Sequence, residues 1–363
     1  MKKIIALLLA VAMLFSLYSC GSTTDAGTDE SSTGSSEKIE YIGEVNVYNW
    51  GEYIDDSIIE EFERQTGIKV NYSTFTSNET MYSVLKTGGS SYDVIFPSDY
   101  MVSRLISEGM LEKIDLSNIP NYSLIGDEFK NLECDPNNEY SVPYMWGTVG
   151  LIYNTDMVDE EITSWGALFD PKYAGDILMF DNSRDAMGIA LKYLGYSQNT
   201  TDEAQLQEAY NILREQKEIV QCYVMDQIFD KLEGGEAAMG PYYAGDFLSM
   251  KENNPALAFI IPEEGSNMFY DAMCIPKGAR NKENAEIFIN FMCSTDAAVA
   301  NMDVTGYTSP NTTAWEIYAA DLTEEEFKVM YPDTELLERC DVFINLPENI
   351  LALYDSLWVL LKC

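Results

Sequence analysis

Histidine is absent from the 363 residues of this chain, and basic residues are scarce. Lysine and arginine together number 22, against 60 aspartate and glutamate residues. Without histidine, the chain cannot build a Ser-His-Asp triad, a histidine-ligated metal site or a histidine general base. The surplus of carboxylates repels nucleic acid and attracts small cations. We therefore expect no nucleic-acid partner, although the same acidity would also serve solubility alone.

Several enzyme motifs are missing as well. The sequence contains no G-x-S-x-G, no G-x-x-x-x-G-K-[ST] and no H-E-x-x-H. A surface glycosidase that uses two carboxylates stays open as an alternative, because acidic residues are plentiful. We expect no cofactor and no metal ion.

Cysteines are scattered and include no C-x-x-C pair, so a zinc ribbon is not expected. Cys274 and Cys293 lie in apolar runs and are expected to behave as small core residues. The sequence does not determine whether the cysteines of the body form disulfides. These residues are Cys134, Cys222, Cys274, Cys293, Cys340 and Cys363.

A long apolar run occurs at the start of the chain. Ile4 to Leu17 is almost entirely apolar and follows Lys2 and Lys3. The run is shorter than the roughly 20 residues that span a membrane comfortably. A short basic stretch followed by such a run is typical of a secretory signal, which we place at residues 1–19.

The residues after this run are typical of a lipid anchor. Ser19-Cys20-Gly21 resembles the end of a bacterial lipobox, where cleavage leaves Cys20 as a lipid-bearing N-terminus. The alternative is an ordinary signal with an incidental cysteine. A polar stretch continues to Lys38 and has almost nothing to bury, so we expect a flexible tether. We predict a lipidated cysteine and linker over residues 20–40, an extracytoplasmic location, and membrane contact through the lipid only.

The body of the chain begins with a pattern typical of an α/β fold. Glu44–Trp50 predicts a strand, a helix follows from about Asp56 to Arg64, and Gly67 ends it. Ile68–Tyr72 predicts the next strand and completes a βαβ unit. The alternation continues with a helix, a strand and a further helix, so we expect an open, mostly parallel sheet. These three elements are predicted over 78–86, over 92–96 and from about residue 98.

A second lobe is predicted from the apolar and aromatic run Pro143–Asn154, which we interpret as the crossing between lobes. A strand over 272–276 is expected to return to the first lobe, and the tail over 335–361 is expected to be largely helical. We place the first lobe at residues 41–143 and 275–310. The second lobe is placed at residues 144–274 and 311–363.

Ligands of open α/β proteins bind beyond the carboxyl ends of the strands. Aromatic side chains and carboxylates recur at such ends, a combination that suits an organic ammonium ion. A sugar pocket would need more amides, and an anion pocket would need basic residues, of which only Arg184 is found there. The candidates in the first lobe are Trp50, Glu52, Tyr53, Ser98, Asp99 and Tyr100. Those elsewhere are Asn182, Asp185, Tyr243, Asp246, Phe269, Asp271 and Tyr307, with Phe269 to Asp271 placed just before the returning strand.

Several motifs resemble the spermidine/putrescine-binding protein family over essentially the whole body, in order and in spacing. The resemblance implies a two-lobe periplasmic-binding-protein fold of type II, with the ligand in the cleft. It also implies a monomer that passes a polyamine to the permease subunits of an ABC transporter. A receptor for another solute, such as a sugar or an amino acid, stays open. The motifs include Asn49-Trp50-Gly51-Glu52-Tyr53-Ile54, Pro97-Ser98-Asp99-Tyr100, Pro143-Tyr144-Met145-Trp146-Gly147 and Gly306-Tyr307-Thr308-Ser309-Pro310-Asn311.

The same resemblance implies roles for the candidate residues. Asp185 would meet a terminal ammonium, Asp246 and Asp271 would bind amino groups, and Tyr243 and Phe269 would sandwich the methylene chain. Trp50, Tyr53, Ser98 and Tyr100 would line the wall of the first lobe, and Tyr307 would close an edge. The chain departs from the family at three of these positions, so the identity of the polyamine stays open. Tyr243 and Phe269 stand where tryptophan occurs in the family or in one branch of it, and Asn182 stands where one branch has a carboxylate.

Overall fold

This computed structural model describes residues 40–88 and 92–363 of the chain. In this part of the chain the strands pair side by side along one continuous path. The predicted signal peptide, Cys20 and nearly all of the predicted linker lie outside these residues. The path runs in the order β2-β1-β3-β9-β4-β7-β5-β6, and β8 pairs with β4. The strands are β1 (Gly43–Trp50), β2 (Ile68–Phe75), β3 (Val94–Ile95), β4 (Ser141–Asn154), β5 (Ile177–Phe180), β6 (Val220–Val224), β7 (Met239–Tyr243), β8 (Leu257–Ile260) and β9 (Met268–Cys274).

Helices flank both groups of strands. In chain order they are α1 (Asp56–Thr66), α2 (Asn78–Lys86), α3 (Asp99–Ser107), α4 (Ser183–Tyr193), α5 (Glu203–Gln216), α6 (Ile228–Glu233), α7 (Ala244–Asn253), α8 (Lys282–Met292), α9 (Thr295–Thr305), α10 (Thr312–Ala319), α11 (Glu324–Met330), α12 (Thr334–Leu337) and α13 (Glu348–Lys362). Short 3₁₀ turns cover Leu116–Asn118, Pro120–Leu124, Asp127–Phe129, Trp165–Phe169 and Pro171–Tyr173. Among the described residues no helix is both long and apolar enough to cross a membrane.

The predicted βαβ unit is confirmed. The side chain of Asp55 accepts a hydrogen bond from the Ser57 amide and caps α1, whose buried residues include Ile58 and Phe62. Gly67 ends the helix with a φ of 67°, a left-handed conformation that glycine adopts without steric cost. The chain then enters β2, which runs parallel to β1.

Two long strands join the two halves of the α/β fold. β1, β2 and β3 are parallel in one half, and β5 is parallel to β6 and β7 in the other. Between them, β9 is antiparallel to both β3 and β4, and β4 is antiparallel to β7. All residues of β4 are buried. The apolar core is divided accordingly, with one cluster around β5 and α4 and others around β1 and β3.

Two local predictions were wrong. The strand predicted over 92–96 is limited to Val94–Ile95. Phe269 and Asp271 lie within β9 and not before it, because the strand pairs with β4 from Met268 onwards. The tail over 335–361 is largely helical, as predicted, although residues 338–347 are irregular between α12 and α13, and Pro347 occupies the N-cap of α13. In this irregular segment, backbone hydrogen bonds join Asp341 to Ser266 and Met268.

The cysteines of the described chain are unpaired. Cys274 and Cys293 are buried in the apolar cores, as predicted. Cys363 is exposed at the end of α13, and the other three are partly buried.

Candidate functional site

The thirteen residues predicted as ligand contacts line one cavity of about 110 Å³. The cavity lies where the carboxyl ends of β1 and β7 approach β9, and residues from both halves of the fold form its walls. The residues predicted from the sequence therefore share one cavity in the structure. The binding role of each residue stays a proposal.

Four helices begin at the cavity, and each carries an acid in its first turn. The N-terminus of a helix bears a partial positive charge and exposed backbone amides. A carboxylate in the first turn is stabilised by that partial charge. It makes the end of the helix negative, and no longer positive, toward the cavity. The acids are Glu79 in α2, Asp99 in α3, Asp185 in α4 and Asp246 in α7.

Three of the predicted carboxylates in the cavity accept a hydrogen bond from a tyrosine hydroxyl. Burial raises the pKa of each of these three tyrosines well above its ordinary value, so each remains a protonated donor. The phenol holds one carboxylate oxygen in place. The pairs are Tyr53 with Asp271 at 2.7 Å, Tyr243 with Asp185 at 3.0 Å and Tyr307 with Asp246 at 2.7 Å.

Burial makes these carboxyls weaker acids than usual. Burial raises the pKa of Asp271 to about 6, although the hydroxyls of Ser98 and Tyr53 act to lower it. It raises the pKa of Asp185 to about 6 and that of Asp246 to about 7. A buried carboxylate without a cation is costly, so a bound cation would favour the charged form.

Asp271 differs from Asp185 and Asp246 because one of its carboxylate oxygens is fully buried as well as unpaired among the described residues. It is 5% exposed, and its Oδ2 accepts the bond from Tyr53. Its Oδ1 is buried and has no hydrogen-bond partner among the described residues. Buried polar atoms in proteins are nearly always paired, so this oxygen can take a donor from a ligand, from water or from the nearby Ser98 hydroxyl. A cationic donor could pair with it there.

Asp99 and Trp50 hold the walls of the cavity together. The Asp99 carboxylate accepts hydrogen bonds from the backbone amides of Tyr100 and Tyr270, at 2.6 and 3.0 Å. Burial raises its pKa to about 8. The indole of Trp50 donates to the carbonyl of Phe96 at 2.8 Å. The polar atoms of both residues are therefore engaged by the protein itself.

The aromatic wall differs from the predicted sandwich. The rings of Tyr243 and Phe269 contact each other edge to face, with centroids 5.5 Å apart and planes at 81°. Phe269 also lies 6.0 Å from Tyr307, which lies 5.0 Å from Tyr53. In this structure the rings form one continuous wall and not two facing plates. Such a wall offers ring faces and edges along which a methylene chain can lie.

Several residues of the cavity were not among the predicted contacts. Glu79 accepts a hydrogen bond from Tyr100 at 2.9 Å, and Asp226 accepts one from Tyr242 at 2.9 Å. The position of Asp226 two residues after β6 was a usable signal, but β6 itself was not recognised. Phe343 comes from the irregular segment of the tail, and no local pattern indicates it. The remaining residues of this group are Gly51, Phe75, Thr76, Ser77, Asn78, Arg184, Met225, Phe229, Tyr242 and Asn267.

Comparison with known proteins agrees with this geometry. The model of a family described as bacterial extracellular solute-binding protein matches residues 57–327. The spermidine/putrescine-binding periplasmic protein of Escherichia coli (strain K12) is 38% identical over 293 residues, which cover 80% of this chain and 84% of that protein. The chain belongs to the spermidine/putrescine-binding branch of the bacterial extracellular solute-binding proteins.

Among the described residues, no three His, Cys, Asp or Glu side chains are placed to hold a metal ion.

Solved structures in this branch have the same two-lobe fold. A putative spermidine/putrescine ABC transporter from Listeria monocytogenes superposes with a TM-score of 0.83 at 39% identity, covering 88% of this chain and 98% of that one. The TpPotD lipoprotein of Treponema pallidum superposes with a TM-score of 0.78 at 30% identity, covering 88% and 99%. The α/β periplasmic-binding-protein fold predicted from the sequence is thereby confirmed.

Proposed function

We propose that this protein captures a polyamine, putrescine or spermidine, outside the cytoplasm and delivers it to an ABC importer. The observation that carries the proposal is the set of three buried carboxylates, each fixed by a tyrosine hydroxyl, along one aromatic wall. Ammonium groups spaced along a flexible methylene chain fit such a set. Relatives named for spermidine and putrescine binding support the same assignment.

The physical basis is the pairing of ammonium groups with carboxylates in a partly dry cavity. A charge-assisted hydrogen bond is stronger where water is excluded, and the rings add attraction for the cations. Neutral sugars would leave these carboxylates without counter-charge. An amino acid would bring a carboxylate of its own among seven acidic side chains of the cavity, Glu52, Glu79, Asp99, Asp185, Asp226, Asp246 and Asp271.

Binding without chemical conversion is part of the proposal. The family consists of solute-binding proteins, and the tyrosine-held carboxylates are suited to retaining a cation. A carboxylate-pair glycosidase is the competing function. Incubation with spermidine followed by mass spectrometry of the recovered ligand should return unchanged spermidine, and hydrolysis of a glycoside panel should not be detected.

Thermal shift tests the ligand class. Saturating putrescine or spermidine should raise the melting temperature, because a ligand at 100 times its dissociation constant stabilises the native state by about 2.7 kcal/mol. Spermine and cadaverine complete the series, and we expect spermine to be weaker than spermidine. Glucose and glutamate serve as controls for the sugar and amino-acid alternatives. A shift with either control, and none with any polyamine, would reject the proposal.

Lipid anchoring and a monomeric state also belong to the proposed function. Cys20 lies outside the described residues, so the anchor rests on the sequence pattern. Cys20→Ala should release the protein from the membrane fraction or block its processing, because no other thiol lies at the lipobox. Cys363→Ala, which removes an exposed cysteine, is the matched control and should leave fractionation unchanged. Membrane retention and normal processing of Cys20→Ala would show that the lipobox interpretation is wrong.

A further inference from the structure

Both halves of the fold cover the innermost groups of the cavity. Tyr53 of the first half, Asp185 of the second half and Asp271 of the connecting strand β9 are all buried in the structure. A solute that contacts these groups is covered from both sides. Its release therefore requires the halves to move apart, and any contact that joins them beside the cavity must break.

One such contact lies where α3 and α4 begin. Tyr100 is in α3 of the first half, and its ring centroid lies 5.2 Å from the guanidinium carbon of Arg184 in α4 of the second half. The ring of Phe343 meets that of Tyr100 edge to face, with centroids 6.0 Å apart and planes at 83°. Phe343 shares a buried apolar cluster with residues of the first half, among them Met101 of α3. These side chains therefore join the two halves.

The side chain of Phe343 is held by the second half of the fold. It belongs to the irregular segment 338–347, in which the Asp341 carboxylate lies 3.1 Å from the ammonium group of Lys192 in α4. The side chain of Asn199 binds the backbone on both sides of Phe343, donating at 2.8 Å and accepting at 3.1 Å. The ring is thus fixed to one half of the fold, while Tyr100, which it contacts, belongs to the other.

Arg184 positions the ring of Phe343. Its guanidinium carbon lies 4.5 Å from the centroid of Phe343 and 5.4 Å from that of Tyr354 in α13. Both rings can stay with Arg184 when the halves separate, and only Tyr100 is lost. A guanidinium that leaves a ring gains water in exchange, which offsets the lost attraction. We therefore assign the holding contact to the apolar edge-to-face pair of Phe343 and Tyr100.

We propose that Phe343 is a latch, a side chain fixed to the second half that packs on Tyr100 when the cavity is closed and thereby slows the release of bound polyamine. The proposal rests on the proposed function. The contact joins protein to protein, so it stabilises the closed form whichever polyamine is inside. Phe343 is in this sense a positioning residue, which acts on the lifetime of the complex through Tyr100.

The test measures association and release rates separately on Phe343→Leu. Leucine keeps an apolar side chain against Gly188 of α4, where a Cβ would lie 3.3 Å from the ring, but it removes the edge that meets Tyr100. Stopped-flow measurements should show release roughly three- to tenfold faster. Association should change by less than about twofold, because the latch forms after the solute has entered. Putrescine and spermidine should be affected by the same factor.

A double-mutant cycle separates the latch from a direct contact with the ligand, since Phe343 also lines the cavity. If Phe343 and Tyr100 act through one contact, release from the variant with both residues replaced by leucine should be less than about twofold faster than from the faster single variant. Phe169→Leu is the matched control. Its ring stacks on Tyr193 within the second half, with centroids 4.8 Å apart, and does not line the cavity. Both rates should stay within about twofold of the wild type.

The outcomes are distinct. Faster release that is shared by both ligands and is not additive with Tyr100→Leu supports the proposal. Unchanged release from a folded Phe343→Leu protein overturns it, as do factors that differ between the ligands or multiply in the cycle. Each of these results leaves polyamine binding intact. Should Phe343→Leu fail to fold, Phe343→Met fills the same space with a flexible apolar chain and carries the same expectation. Failure of the wild type to bind putrescine and spermidine would instead reject the proposed function.

Discussion

Replacing Asp271 by asparagine is expected to lower polyamine affinity by roughly 30- to 1,000-fold. The substitution keeps the shape of the side chain and removes its charge. A bound ammonium would then stay desolvated without its counter-charge, which costs on the order of 2–4 kcal/mol. Asp271 is singled out because its Oδ1 is buried and unpaired among the described residues while its Oδ2 is held by Tyr53.

The unliganded Asp271→Asn protein should be at least as stable as the wild type near neutral pH. Burial raises the pKa of Asp271 to about 6, so its charged form is unfavourable in the empty cavity above that pH. Asparagine removes this cost and still offers an oxygen to Tyr53. Melting temperature and calorimetric affinity should be measured on the same preparation.

A second buried aspartate provides the matched control. Asp93 is 0% exposed, lies away from the cavity, and accepts hydrogen bonds from the backbone amides of Asn46, Arg280 and Asn281. Asp93→Asn should therefore lower the melting temperature, because its charge-assisted bonds support the fold. Its affinity for polyamine should be unchanged. If Asp271→Asn instead lost stability and bound within threefold of the wild type, Asp271 would have a structural role and no part in binding.

Polyamine affinity should fall on the order of 100-fold between pH 8 and pH 5.5. The ligand stays cationic in this range, since alkyl amines titrate near pH 10. The protein does not stay anionic: the pKa values of Asp185 and Asp271 are raised to about 6, and that of Asp246 to about 7. Affinity is therefore fully developed above pH 8 and is lost as the pH falls through 7 and 6, where protons occupy the carboxylates.

Proton release gives the measurement for this prediction. Binding at pH 6.5 should expel protons, so calorimetric heats should differ between buffers of different ionisation enthalpy. Asp271→Asn should release fewer protons and show a flatter pH profile for the binding that remains. A constant affinity from pH 8 to pH 5.5, with no proton release, would show that these carboxyls are already ionised in the empty protein.

Local sequence patterns were sufficient to locate much of the cavity. Trp50 and Tyr243 end strands, and Asp185 and Asp246 lie in the first turn of the helices that follow such ends. In an α/β sheet these positions lie at the edge where ligands bind. They can therefore be predicted wherever the strand and the helix are identified from the sequence. The local pattern also singled out Asp271, although it placed this residue before the strand and not inside it, and the family resemblance added its role.

The remaining residues depend on contacts between distant parts of the chain. Phe343 enters the cavity from an irregular segment and packs against Arg184 and Tyr100. Nothing in the neighbouring residues indicates this, because the segment is fixed by two backbone hydrogen bonds: Asp341 donates to Ser266 and accepts from Met268. Periodicity in the sequence carries no information about such a contact.

The four helices that begin at the cavity have a consequence for how this fold changes its solute. Exposed amides and the partial positive charge at helix N-termini favour anions, so the backbone frame alone would suit an acidic solute. Glu79, Asp99, Asp185 and Asp246 reverse that preference from the first turns of these helices. The charge of the solute that can bind is therefore determined by a few side chains, while the backbone of the fold stays the same. Evolution, or a protein engineer, can move such a receptor between cationic and anionic nutrients by point substitution, with the lobes and the strands that join them left as they are.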